Sequence, residues 1–257
     1  MFSLFFSHLG TGLLGCLLLV PYKRLGHGFF RFNVLLGLCF LVIAAAFRRG
    51  GPAGSSMALL AGILLAAGTV VSLQFRRHPI SRWLLVAAVA AGLVSMLGEA
   101  TQLAGAGAVP ISAPLLAAHF ITSSVLLGAV LLDMILGHWY LVIPGLSFGH
   151  LQRMTRVLAI ALALRISVIA WTVGAAWGAW QAALQDSMRF LAQDGLLLAL
   201  RLLFGILGPA VLLFLIWECV RTRSNTSATG ILYVATVIVL IGEIASHYLL
   251  THGALPL

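Results

Sequence analysis

The chain has 257 residues, 61% of them hydrophobic and 8% charged, with 15 Lys and Arg against 6 Asp and Glu for a formal charge of +9. Soluble domains carry about 25% charged residues and keep over half of their surface in water, so this composition excludes an ordinary soluble fold, and it equally excludes disorder. What remains is a multi-pass membrane protein, in which the basic excess is a topology signal rather than a nucleic-acid footprint; Lys23 is the sole lysine.

A bilayer core of about 30 Å needs roughly 20 apolar residues in a helix. Reading the runs between charges predicts an all-α fold of eight transmembrane helices, at 2–20, 30–47, 55–75, 83–104, 113–143, 155–180, 195–219 and 229–250. In the first, Leu13-Leu14-Gly15-Cys16 has the form of a lipoprotein cleavage box, but the positive charge follows it, at Lys23 and Arg24, instead of preceding it. A retained helix is expected. The second run is short, and the fifth is long enough to tilt or protrude. Cys16, Cys39 and Cys219 lie in apolar runs without a pairing pattern and read as core thiols.

The connections then orient the chain. One side carries Lys23, Arg24, Arg31, Arg76, Arg77, Arg82, Arg153, Arg156, Arg221 and Arg223. The other carries Arg48, Arg49 and Arg189, offset by Asp186 and Asp194, and an uncharged stretch around Gly105–Pro110. The positive-inside rule puts both termini outside, periplasmic in a bacterium, with the chain in the inner membrane.

The halves echo each other. Val20-Pro21 followed by Gly26-His27 recurs as Ile143-Pro144 followed by Gly149-His150. Gly98-Glu99 recurs as Gly242-Glu243, and Gly107-Ala108-Val109-Pro110 as Gly253-Ala254-Leu255-Pro256. The order is preserved with small insertions, which predicts two parallel four-helix repeats, residues 1–111 and 112–257.

Ionisable groups inside a membrane cost at least about 2.5–3.5 kcal/mol at the bilayer centre, so they point to function. At about 1.5 Å of rise per residue, Glu99 lies roughly 25 Å from the inner surface and His8 roughly 20 Å. Glu243, with His247 one turn beyond it, falls at a similar depth, and Arg201 and His119 fall near the outer boundary. Together they suggest a proton-handling pocket near the periplasmic face. Oxidising a quinol needs such groups, because two protons must leave with two electrons. Glu243 and His247 are the expected catalytic pair, with His8, Glu99, His119 and Arg201 shaping the quinone site. The alternative is structural, with Glu243 or Glu99 neutralising Arg201. Toward the inner side, Asp133 and Arg165 are expected to pair, Glu218 and Arg221 to form a surface pair, and His138-Trp139-Tyr140 to form an interfacial belt. His27, His78 and His150 suit contact with lipid headgroups or a partner.

Haem b is a second use of membrane histidines and needs two ligands on different helices at one depth. His8 with His247, or His8 with His119, are the candidates. The usual cue, two His about a dozen residues apart on each of two helices, is absent. A proton-coupled small-solute transporter and a purely structural anchor also remain open.

The last span, Gly242-Glu243-Ile244-Ala245-Ser246-His247-Tyr248-Leu249, resembles the Gly-Glu…Arg-x-Leu-Phe ending of the membrane-anchor subunits of molybdopterin-type respiratory oxidoreductases, the polysulfide reductase and dimethyl sulfoxide reductase type. His247 stands where an Arg is common. The rest of the resemblance is architectural. It implies a quinone pocket near the periplasmic face, no haem, and an iron–sulfur partner subunit docked on that face.

Overall fold

The computed structural model describes residues 1–75, 78–107, 109–143, 148–178, 181 and 195–252. Arg76, Arg77, Ala108, Pro144, Asp186, Arg189, Asp194 and the 253–256 sequence copy lie outside the described residues, as do the side chains of Lys23, Arg24 and His78.

Among the described residues the chain is all-helical: α1 Phe2–Leu17, α2 Tyr22–Ala46, α3 Ala53–Gln74, α4 His78–Gly105, α5 Ala113–Val142, α6 Gly149–Ala175, α7 Gly195–Arg221 and α8 Asn225–His252. Seven, α2 to α8, contain stretches long and apolar enough to cross a membrane; α1 is apolar but has 16 residues. Large apolar side chains such as Leu64, Trp83 and Leu196 point outward, while Ser, Thr, His, Arg and Glu side chains are buried. This inversion of the soluble pattern is that of a multi-pass membrane protein, whose surface is wetted by lipid.

Several helices start earlier than charge positions suggest: α6 begins at Gly149 and carries Arg153 and Arg156 on its first turns. A long basic side chain can lead its charge back to the interface, so it does not end a helix. Prolines mark helix starts, where a missing N–H costs nothing. Pro21 and Pro52 precede α2 and α3, and Pro114 lies in the first turn of α5. Gly26, at φ 79°, breaks α2 after its first turn. In α7 a π-helical turn, Leu203–Leu207, sits just before Pro209. The proline ring clashes with the carbonyl four residues back, that of Gly205, and widening the turn relieves it.

Each half has the same order of neighbours. α1 packs on α2 and α4 as α5 packs on α6 and α8; α2 meets α3 as α6 meets α7; α3 pairs with α4 as α7 pairs with α8. The halves join chiefly through α1 and α5, with α4 against α5 and a smaller contact of α1 with α8. The central α1 is therefore enclosed, with 12 of its 16 residues buried. At about 24 Å it is shorter than the hydrocarbon core, but a helix shielded from lipid need not match that thickness.

Glycines set the crossings. A Cβ on Gly12 would collide with the Ser124 carbonyl, and one on Gly128 with the Gly12 backbone. Gly98 lies against Ser55 of α3, and Gly242 against Gly205 of α7. In both halves, then, the glycine before the acid lets the preceding helix approach, as small residues do in membranes. We call the end of the bundle where α1, α3, α5 and α7 finish the basic face, after Arg82, Arg153 and Arg221, and the opposite end the terminal face.

Candidate functional site

Five helices bring buried polar groups together in the terminal-face half. The centre is Glu243 on α8. Arg165 of α6 grips it as a fork, Nε to Oε1 at 3.1 Å and Nη2 to Oε2 at 3.0 Å. Arg201 of α7 adds Nη1 to Oε1 at 2.6 Å, and Ser123 of α5 donates to Oε2 at 2.5 Å. Glu243, Arg201 and Arg165 are all buried. The carboxylate thus receives four hydrogen bonds, about the number its lone pairs can take. Arg165 is equally saturated: Nη2 also reaches Ser246, and Nη1 reaches the ring Nδ1 and the backbone carbonyl of His119 at 3.0 and 2.9 Å. The π turn of α7 and the paired glycines Gly205 and Gly242 make the approach of Arg201 possible; a Cβ on Gly205 would run into its guanidinium.

The ring hydrogens of the three histidines follow from their partners. A carbonyl can only accept, so His247 Nδ1 donates to the Glu243 carbonyl, at 2.7 Å. With one proton per imidazole, His247 Nε2 is an acceptor and takes the hydrogen of His8 Nδ1, at 2.8 Å. His8 Nε2 then carries a bare lone pair, and it is buried without a partner. On the other branch Arg165 donates to His119 Nδ1, so His119 Nε2 donates to Thr172 Oγ1, at 2.6 Å, whose hydroxyl passes on to the Val168 carbonyl. One connected chain runs from Thr172 through His119, Arg165, Glu243 and His247, and it ends at an open acceptor on His8. Beside it lies a cavity of about 10 Å³ lined by His119, Phe120, Ser123, Arg165, Ser246, His247 and Leu250. That is room for one water at most.

Of the residues singled out in the sequence, His8, His119, Arg201, Glu243 and His247 meet here. Glu99 does not join them: it pairs with Arg48, at the end of α2, whose guanidinium also binds Ser55 and Ser56. In the sequence Arg48 stands out only as a charge of a connection between spans. The expected Asp133–Arg165 pair does not form. Asp133 accepts from Thr155 Oγ1 at 3.1 Å, and Arg165 reaches Glu243 instead. The sixth helix, expected from residue 155, starts six residues earlier, at Gly149, which moves Arg165 outward from the helix start by about 9 Å. The Glu218–Arg221 surface pair is present. His138 bonds Tyr233.

Because Asp133 has no cation to strand, Asp133→Asn should change unfolding stability by less than about 1 kcal/mol. Denaturant titration of the purified protein in detergent checks this.

The histidine geometry does not suit a haem. Two axial imidazole nitrogens lie about 4 Å apart across an iron, from metal–nitrogen bonds of about 2 Å. His8 and His247 are hydrogen-bonded directly, and both ring nitrogens of His119 are engaged. Nor does a quinone ring fit the water-sized cavity. In comparisons with known proteins, the chain matches no family model, no curated protein and no solved structure.

Proposed function

We propose that this chain is a proton-handling membrane subunit of a respiratory redox complex, with His8 as the proton acceptor and the terminal face toward the periplasm. The observation that carries the reading is the open, buried Nε2 of His8, which ends the hydrogen-bonded chain from Thr172; Arg201 Nε and Nη2 are also buried without a partner, but they are donors and cannot take up a proton. Buried acceptors are nearly always paired, and an unpaired one calls for an explanation in function. A proton arriving at Nε2 lets the Nδ1 hydrogen pass to His247 Nε2, so the two rings share the charge next to the Glu243 carboxylate. Glu243 and Arg165 act by position: with every lone pair of the carboxylate engaged, Glu243 orients and compensates rather than accepting the proton itself. The proton source in this reading is a quinol oxidised outside the centre, and the water-sized cavity beside His247 is where water can approach the histidine pair. Electrons go to an iron–sulfur or cytochrome partner subunit. The matching neighbour order of the two halves supports reading them as four-span repeats.

One observation favours a second reading, a proton-coupled carrier: the two halves share one order of helix neighbours, as transporters built from parallel repeats do. The test is His8→Asn. Asn keeps a donor where Nδ1 lies and removes the Nε2 lone pair. In native membranes the variant should assemble normally and lose about 100-fold in quinol-dependent turnover, in the range of acid–base catalysis. Unchanged turnover would refute the role of His8. Purification without a redox partner, together with proton-driven solute uptake in liposomes, would favour the carrier.

A further inference from the structure

At the other end of α1 lies a much larger cavity, about 640 Å³, on the basic face. It exists because α1 is short: the helix ends at Leu17, while α4 and α5 run for 28 and 30 residues. Beneath that end the walls come from α2, α3 and α4, through Phe30, Val34, Leu73 and Leu85. The lining is mostly apolar, but two guanidinium groups share it, Arg82 of α4 and Arg153 of α6. Both residues are exposed, and neither is in an ion pair among the described residues. The volume is that of a small-molecule site. Two uncompensated cations at a membrane-embedded cavity call for an anion that carries its own apolar part.

We propose that this cavity binds the headgroup end of an anionic phospholipid, with Arg82 and Arg153 clasping the phosphate and an acyl chain lying along Leu73 and Leu85. Guanidinium forks match phosphate oxygens in bidentate geometry, and basic pockets between transmembrane helices are natural seats for anionic headgroups. A zwitterionic lipid brings its own cation to the site, and a quinone brings no counter-charge. The site is independent of the His8 centre and stands whether or not the proton-handling reading holds.

The experiment is native mass spectrometry of the delipidated full chain titrated with phosphatidylglycerol, phosphatidylcholine, inorganic phosphate or decylubiquinone. At about fivefold per basic residue near the headgroup, phosphatidylglycerol should be preferred over phosphatidylcholine by about 30-fold. Inorganic phosphate should not displace it, because the acyl chain holds the lipid. Arg82→Gln with Arg153→Gln should reduce the preference to within about threefold, and the Lys pair should retain most of it. Equal binding of the two lipids by the unaltered protein would overturn the proposal without any variant having to fold. So would displacement by phosphate alone, or equally tight binding of decylubiquinone.

Discussion

Glu243→Gln will destabilise the protein by about 3–5 kcal/mol, the usual cost of removing one partner from a buried ion pair. The carboxylate is the single counter-charge that Arg165 and Arg201 share, and all three groups are buried. The Gln amide replaces one accepting oxygen with a donor, so it faces guanidinium and hydroxyl hydrogens that it cannot bind. Two cations are then left together in low dielectric. Adding Arg201→Met to Glu243→Gln should recover at least about 1 kcal/mol, because it removes one stranded charge and leaves Arg165 with its contacts to His119 and Ser246. Denaturant titration in detergent measures both. A loss below about 1 kcal/mol for the single variant, no larger than for a solvent-exposed pair, would mean that water reaches the cluster.

Gly128→Ala should cost about 3 kcal/mol, at the upper end for an overpacked site. The added Cβ meets the backbone of Gly12 and Leu13, which cannot rotate away as a side chain would. α1 and α5 must then separate along the main contact between the halves. The same movement pulls the His8 carbonyl from the Ser124 hydroxyl that holds it at 2.9 Å, so the histidine pair is disturbed as well. Gly230→Ala on α8 is the control, since nothing lies within 4 Å of its added Cβ. There the better helix propensity of Ala should make the change neutral or stabilising by up to about 1 kcal/mol. Equal effects at the two glycines would contradict the crossing.

Hydropathy and charge made much of the architecture legible, because lipid solvent forces long apolar helices and leaves few exceptions. The ends were less legible. Arg153 and Arg156 ride on a helix already under way, and enclosure by four neighbours allows α1 to stay short. The candidate site was partly legible for the same reason: a buried His or Glu in an apolar run stands out, and a depth count brought His8, Glu243 and His247 to one level. Depth does not say which helices touch. Glu99 has the same depth and the same preceding glycine as Glu243, yet its partner is Arg48, on its own half. Arg165 is expected to pair with Asp133 toward the inner side, yet it lies against Glu243. The π turn in α7 had a visible signal in Pro209, four residues past Gly205, but what that turn does for Arg201 appears only once α8 lies beside it. The hydrogen-bond order that leaves His8 Nε2 open depends on which carbonyl each ring meets, and no sequence pattern encodes that.

The most direct test of the central claim is ¹⁵N NMR of the histidine rings in the lipid-embedded protein. At neutral pH, His8 should show a protonated Nδ1 and a bare Nε2, coupled across a hydrogen bond to a bare His247 Nε2, and both patterns should survive in Asp133→Asn. A protonated Nε2 on neutral His8, or no coupling between the two rings, would contradict it.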